Sequence, residues 1–190
     1  GTVFTTSQCL LAPHRNQPMT KDDIEQRLKA ALRAERVVWL DHGNLIGDDT
    51  DGHIDTIVRT APENTLLYVG CDDSHDEQFE DFLALENQLK GLRTASGMPY
   101  RLLRLPMPDA IYDEGERLPA TYANFLIING AVICPTYAQP EKDKRALQTI
   151  AQAYPYREII GIDAQTVIRQ HGSLHCLTMQ FPQGVIANNP

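Results

Sequence analysis

Two polar segments of the sequence carry side chains that could do chemistry together. The first is Gly47-Asp48-Asp49-Thr50-Asp51-Gly52-His53-Ile54-Asp55, and it leads into a stretch that alternates apolar and polar residues. We expect a strand from His53 to Arg59, with Gly52 allowing a close backbone approach at its entrance. Because strand side chains alternate between faces, His53 and Asp55 should point to the same side. An imidazole beside a carboxylate can bind a cation and move a proton.

Other interpretations of this first segment stay open. It could be an acidic surface loop, or a cation loop of the D-x-D-x type. An EF-hand is excluded, because no Glu stands at the twelfth position of a frame that starts at Asp49 or Asp51.

The second segment is His171-Gly172-Ser173-Leu174-His175-Cys176-Leu177-Thr178. A cysteine preceded by His and small residues, at the start of an apolar strand, could be a nucleophile. A buried cysteine beside a structural histidine is the alternative. A zinc site made by His171, His175 and Cys176 is disfavoured, since neighbouring residues of a strand point to opposite faces.

A repeated order of secondary structure should position these segments. We predict one helix from the Thr20 capping box to about Glu35, a second after Ser74 that ends near Gly91, and a third that begins at Pro140. The buried face of the second helix is predicted to carry Phe79, Phe82, Leu83 and Leu89. Strands are predicted at 36–40, 53–59, 66–70, 100–105 and 157–161. Apolar runs on both sides of Asn129-Gly130 predict a hairpin with a type I′ turn.

The order strand, strand, helix, strand thus occurs about three times, with closing strands that begin at Arg36, Tyr100 and Arg157. Hairpins within the units argue against one doubly wound parallel sheet. The fold class is therefore α/β, as a radial array of small mixed sheets. The first unit lacks an opening strand and the last breaks off after Cys176, so we expect a piece of a longer protein.

Composition excludes several classes of protein. The 190 residues are 42% hydrophobic and 22% charged, which argues against disorder, and the net charge is −8. That sign argues against a nucleic-acid or anionic-membrane surface. No apolar run approaches the roughly 18 residues that a membrane span needs. The cysteines, Cys9, Cys71, Cys134 and Cys176, are scattered without metal spacing, which predicts a reduced, cytoplasmic setting.

Together, the two polar segments resemble a known family. The pattern Asp-x-x-x-His-x-Asp, followed about 120 residues later by Gly-Ser-x-His-Cys-x-Thr, resembles the agmatine deiminase and bacterial peptidylarginine deiminase family of the pentein superfamily. The resemblance runs from Gly1 to about Pro182. Three further stretches agree with it: Thr5–Leu11 with Arg15-Asn16, Val38-Trp39-Leu40, and Leu118-Pro119-Ala120-Thr121-Tyr122-Ala123-Asn124-Phe125.

The resemblance implies a pentein-type α/β propeller of five ββαβ blades, of which this chain would form about three. It implies that residues 1–190 are the C-terminal portion of one deiminase domain, with the upstream blades and an upstream substrate-binding carboxylate missing. It also implies roles for seven residues and needs no metal or organic cofactor. Cys176 and His53 would be catalytic, Asp55 and Asp49 would bind substrate, and Gly172, Ser173 and His175 would support the nucleophile.

Three functions follow as hypotheses. The first is hydrolysis of agmatine to N-carbamoylputrescine and ammonia through a thiouronium intermediate, a step of putrescine biosynthesis. The second is conversion of peptidyl or free arginine to citrulline. The third is a non-catalytic fragment. Gln170-His171-Gly172 stands where many relatives have three glycines, and this leaves the substrate open. The missing N-terminal half would be a partner, and a homo-oligomer is compatible with the sequence.

Overall fold

The computed structural model describes residues 1–185. Its strands are β1 (Thr2–Thr6), β2 (Arg36–Leu40), β3 (Val58–Ala61), β4 (Thr65–Gly70), β5 (Arg101–Pro106), β6 (Tyr112–Asp113), β7 (Glu116–Arg117), β8 (Leu126–Ile127), β9 (Ala131–Thr136) and β10 (Glu158–Asp163). Its α-helices are α1 (Ser7–Leu10), α2 (Lys21–Leu32), α3 (Phe79–Gly91) and α4 (Pro140–Ala153). Three 3-10 turns lie at Ile54–Thr56, Val167–Gln170 and His175–Leu177. None of the described helices combines the length and the apolar character that crossing a bilayer requires.

The predicted repeat is present in the sheets. β3 pairs antiparallel with β4, and β4 pairs parallel with β5 after the crossover helix α3. β8, β9, α4 and β10 repeat this arrangement, while β1 and β2 form a parallel pair across α2. Parallel neighbours need such a crossover, which is why each helix separates the two strands that it joins. The fold is α/β and built of small mixed sheets; the number of blades in a complete ring stays a prediction.

Local signals explain where α2 begins and ends. The Thr20 hydroxyl accepts from the backbone N–H of Asp23 at 3.2 Å, and the Asp23 carboxylate accepts from the Thr20 N–H at 2.9 Å. This capping box satisfies two donors at the helix start. The helix ends at Leu32 rather than near Glu35, because Arg33 adopts a left-handed φ of 51°.

The middle unit provides the most deeply buried part of the core. Every residue of β4 is buried, and α3 packs with Phe82, Leu85 and Leu89 inward. The prediction that Leu83 shares this face is wrong, since its side chain is 41% exposed. Leu83 lies one residue, about 100° of helix rotation, away from Phe82 and so points off the buried stripe.

The predicted hairpin is present, but the prediction of a type I′ turn is wrong. β8 and β9 pair antiparallel with Leu126 opposite Ile133. A type I′ turn needs positive φ at both central residues, and neither Asn129 nor Gly130 has it. The left-handed pair occurs instead between β3 and β4, at Glu63 and Asn64, with φ of 57° and 53°.

Hydrogen bonds between units hold the first polar segment against the third unit. The Thr121 hydroxyl donates to the Thr56 carbonyl at 2.6 Å. The Arg59 guanidinium donates to the carbonyls of Ala123 and Phe125, and it lies 4.5 Å from the centre of the Phe125 ring. These contacts place the residues around Asp55 beside the segment that leads into β8.

Candidate active site

The segment that carries His53 and Asp55 is a turn and not a strand. Residues Ile54–Thr56 form a 3-10 turn, and β3 begins only at Val58. The predicted strand at 53–59 is therefore wrong at its start, and strand alternation does not set the directions of His53 and Asp55. Hydrogen bonding from Thr121 to the Thr56 carbonyl competes with the ladder that a strand would need here.

The acidic loop before this turn is organised by Asp48. Its carboxylate accepts from the Thr50 hydroxyl at 2.7 Å and from the Gly52 N–H at 2.8 Å. Gly52 has a φ of +77°, and a Cβ on it would lie 2.9 Å from Gln8 Oε1, so the predicted need for glycine is confirmed. Asp49 is exposed, and no hydrogen bond among the described residues ties its side chain to the others.

Cys176 also lies on a turn rather than at the start of a strand. Residues His175–Leu177 form a 3-10 turn, which corrects the expected strand and with it the argument that His175 and Cys176 point to opposite faces. No group of three His, Cys, Asp or Glu side chains in residues 1–185 is placed to hold a metal ion. Cys176 is exposed, whereas Cys9, Cys71 and Cys134 are buried.

One buried amide joins the two polar segments. Asn124 is completely buried, and its Nδ2 donates to Asp55 Oδ2 at 2.9 Å. Its Oδ1 accepts from the His175 N–H at 2.9 Å and from the Cys176 N–H at 3.4 Å, and it lies 3.5 Å from Cys176 Sγ. Asn124 was not among the predicted site residues. The signal was its place in the Leu118–Phe125 stretch that supports the family resemblance.

A second contact joins Asp55 directly to the cysteine turn. His175 Nδ1 lies 2.7 Å from Asp55 Oδ2. Burial opposes the charge of this carboxylate, but the His175 hydrogen bond and the nearby charges of His175, Arg59 and His53 outweigh it, so the pKa of Asp55 lies below its usual range. Asp55 is thus held as a carboxylate. Both of these side-chain bonds, from Asn124 and His175, go to Oδ2, and none of the hydrogen bonds among the described residues goes to Oδ1.

Gly172 and Ser173 lie directly against the nucleophile turn. A Cβ on Gly172 would be 3.0 Å from the Cys176 Cβ and 3.3 Å from its Sγ, so a larger residue would crowd the sulfur. Ser173 is buried, and its hydroxyl lies 3.3 Å from the Tyr137 hydroxyl, which in turn donates to the Thr121 carbonyl. Both residues thus pack in the segment that carries Cys176, and their predicted role in supporting the nucleophile stays a prediction.

His171 occupies a backbone conformation that favours glycine. Its φ is +63°, and it follows the 3-10 turn Val167–Gln170. Its Nδ1 lies 2.9 Å from the Gly47 carbonyl, which attaches the cysteine-bearing segment to the acidic loop. A histidine at this position therefore adds a contact that a glycine would lack.

His53 lies two residues before Asp55, and its ring contacts the side chain of Arg15. Its Nε2 lies 3.2 Å from Nη2 of Arg15. The structure thus brings together Asp55, His175 and Cys176 through Asn124, with His53 beside Asp55 in the same turn. It leaves Asp49 in solvent. The exposed Cys176 thiol is linked to the Asp55 carboxylate through Asn124, and a thiol, a carboxylate and imidazoles are the groups that attack a cationic carbon and move protons at it.

Comparisons with known proteins agree on one family. Residues 1–182 match the profile of the Porphyromonas-type peptidyl-arginine deiminases. A solved protein from Porphyromonas gingivalis, assigned as an arginine deiminase, is 52% identical, with a TM-score of 0.94 over 96% of this chain and 54% of that one. An agmatine deiminase of C. jejuni, solved with substrate bound, is 39% identical, with a TM-score of 0.86 over 92% of this chain and 50% of that one.

A plant relative is also covered by this chain over only about half of its length. The agmatine deiminase of Medicago truncatula is 31% identical over 201 residues, which cover 96% of this chain and 54% of the relative. The chain therefore spans about half the length of the curated relatives that it matches. This fits the prediction that it corresponds to the C-terminal half of a longer family member.

Proposed function

Because the chain belongs to the Porphyromonas-type peptidyl-arginine deiminase family, we propose that it carries the nucleophile of a deiminase that hydrolyses a guanidino group, with agmatine as the substrate. The observation that carries this proposal is the Asn124 amide, which holds the Asp55 carboxylate and the exposed Cys176 turn together. Such an arrangement offers a guanidinium a carboxylate and a thiol at one place.

The chemistry follows from the charge of the substrate. The guanidinium carbon is a poor electrophile because its positive charge is delocalised, so a thiolate must attack it at close range. Cys176 gives its thiol proton to the neutral His53 as Sγ forms a bond to this carbon; the bond to one NH₂ group then breaks, and the protonated His53 gives that proton to the departing ammonia. A covalent thiouronium remains. His53 then takes a proton from water, the hydroxide adds to the carbon, and the C–S bond breaks; the hydroxyl proton passes to the leaving sulfur, which restores the Cys176 thiol and releases N-carbamoylputrescine.

The carboxylates act on the substrate cation. Asp55 accepts guanidinium N–H bonds through Oδ1, and its low pKa keeps it charged. Asp49 is the second substrate-binding carboxylate, and its exposure fits contact with a part of the substrate farther from the reacting carbon. Thiolate and imidazole supply the nucleophile and the proton, so the reaction uses no metal or organic cofactor.

Ammonia release tests the proposal. A longer form of the protein that contains this chain should release ammonia from agmatine, and Cys176→Ala should abolish the release. Thr178→Ser is the matched control, because Thr178 closes the same turn through its bond to the His175 carbonyl and a serine can keep that bond. No release from agmatine, free arginine or an arginyl peptide would contradict the proposed reaction class.

Arginine substrates are the second candidate, and the 52% identity to a protein assigned as an arginine deiminase favours them. The ammonia assay separates the two candidate substrates when each is supplied alone. The product separates them as well, since arginine and arginyl peptides yield citrulline and agmatine does not. Gln170 and His171 are the residues where this chain departs from the three glycines of many relatives, and His171 attaches the nucleophile segment to Gly47. A higher kcat/KM for arginine than for agmatine would replace agmatine as the proposed substrate.

The setting of the reaction is part of the proposal. The missing carboxylate and blades would come from the rest of a longer protein, so we expect the 190-residue chain by itself to show little or no turnover. A complete five-bladed ring would contain about three blades from this chain. All four cysteines are free thiols, which supports a cytoplasmic setting. A homo-oligomer remains compatible with this proposal.

A further inference from the structure

The guanidinium of Arg15 lies against the proposed acid–base residue. Its Nη2 donates to the Thr50 carbonyl at 2.8 Å and lies 3.2 Å from His53 Nε2. Its Nε donates to Asp51 Oδ2 at 3.2 Å. One side chain therefore contacts Thr50, Asp51 and His53, three residues of the loop that ends in His53.

The loop that carries Arg15 is itself attached to the His53 loop. The Thr6 hydroxyl donates to the Gly52 carbonyl at 2.6 Å and also caps the short helix α1 by accepting from the Cys9 N–H. Asn16 Nδ2 donates to the Leu10 carbonyl at 2.9 Å and fixes the turn that follows α1. The position of Arg15 relative to His53 is thus set by backbone contacts on both sides.

The chemistry of the two side chains decides the direction of the Arg15–His53 hydrogen bond. A guanidinium has N–H donors only and stays protonated in proteins. The Nε2 atom of His53 must therefore be the acceptor and carry no proton while this contact lasts. Which nitrogen of a histidine holds the proton is set by the bond that the other nitrogen makes. Arg15 thereby selects the neutral imidazole with its proton on Nδ1.

We infer that Arg15 is a positioning residue that sets the tautomer of His53 and makes Nε2 the atom through which this ring exchanges its proton. The role rests on the proposed function of His53. The neutral ring is the form that activates water in the second half of the reaction. When Nε2 takes up a proton, the N–H of Arg15 withdraws from it, and Nη2 keeps the Thr50 carbonyl as its partner.

The tautomer can be measured without turnover. In the ¹⁵N-labelled 190-residue chain, two-bond ¹H–¹⁵N correlation spectra distinguish the protonated from the unprotonated ring nitrogen, and His53→Gln identifies the signals by their loss. We expect Nδ1–H in the neutral ring of the unmodified chain. Arg15→Met removes the donor at nearly constant length and should shift the tautomer ratio about tenfold towards Nε2–H, as expected for loss of one charge-assisted hydrogen bond.

His14→Ala is the matched control for that substitution. His14 Nε2 lies 2.8 Å from the same Asp51 carboxylate but makes no contact with His53 among the described hydrogen bonds, so the tautomer should not change. An Nε2–H tautomer in the unmodified chain would overturn the inference, even if Arg15→Met fails to fold. An unchanged ratio in a folded Arg15→Met would overturn it as well. The expected tautomer in a protein without deiminase activity would count against the proposed function alone.

Discussion

Replacing Asn124 by Asp should invert the pH dependence of stability that the Asp55 site contributes. Asn124→Asp keeps the shape of the side chain but replaces the Nδ2 donor, 2.9 Å from Asp55 Oδ2, by an oxygen. Two carboxylates at this distance cannot both ionise, so one of them keeps a proton. In Asn124→Asp the pKa of the carboxyl pair is therefore raised, whereas in the unmodified chain the pKa of Asp55 is lowered.

The sign of the effect follows from this reversal. In the unmodified chain the folded pKa of Asp55 lies below its unfolded value, so the site stabilises the fold above the unfolded pKa and loses this contribution as the pH falls through the folded pKa. In Asn124→Asp the raised pKa of the pair gives stability at acid pH that is lost as the pH rises. The difference in the free energy of unfolding between the unmodified chain and Asn124→Asp should therefore grow from acid to neutral pH.

The size of the difference can be worked from the contacts. The proton that the pair keeps replaces the Asn124 N–H as the donor between the two side chains, so the difference comes from the cost of holding that proton. Keeping a carboxyl protonated costs about 1.4 kcal/mol per pH unit above its unfolded pKa, up to the shift that the pair imposes. Neutral pH lies about three pH units above the unfolded pKa of Asp, so this predicts up to about 4 kcal/mol, or a melting temperature lower by roughly 10 °C.

Thermal unfolding followed by far-ultraviolet circular dichroism, at a series of pH values from acid to neutral, measures this effect. Asn129→Asp is the matched control, because it adds the same charge at an exposed position of the β8–β9 hairpin and should change stability by about 0.5 kcal/mol or less. Melting temperatures of the two variants that run parallel over the whole pH range would refute the assignment of Asn124 as the link between Asp55 and the Cys176 turn.

Two further predictions concern the nucleophile. The native chain treated with iodoacetamide should gain a single adduct, on Cys176. The other three thiols are buried, and burial raises the pKa of Cys9 and Cys71 and raises that of Cys134 to about 12. Mass spectrometry before and after denaturation in urea measures the number of adducts, and labelling of a second thiol in the native chain would contradict the prediction. Gly172→Ala should cost about 1–3 kcal/mol in urea unfolding and slow the alkylation of Cys176, because its Cβ would lie 3.0 Å from the Cys176 Cβ. Gly91→Ala meets nothing within 4 Å and should be neutral, so equal effects of the two alanines would exclude crowding as the cause.

Much of the fold was predictable because its signals are local. The capping box at Thr20, the apolar stripes of the helices and the apolar strand at 66–70 depend on residues within a few positions of each other. Their errors have local causes too. Leu83 lies one position from the buried stripe, and Asn129-Gly130 forms its hairpin without the left-handed φ values that the residue pair favours. In both cases the predicted element is present, and the error concerns one side chain or one turn within it.

For the candidate site, the sequence indicated the chemical groups and the structure showed the contacts between them. The sequence by itself determined which chemical groups are present: residue type and spacing drew attention to His53, Asp55 and Cys176, and the family resemblance predicted their roles. It could not show that Asp55 meets Asn124 and His175, which lie 69 and 120 residues away along the chain, because contacts at such separations depend on how whole units pack. Only the tertiary structure placed both polar segments on turns. A hydroxyl from Thr121 holds the first, and the Asn124 amide holds the second, through hydrogen bonds that local periodicity does not encode.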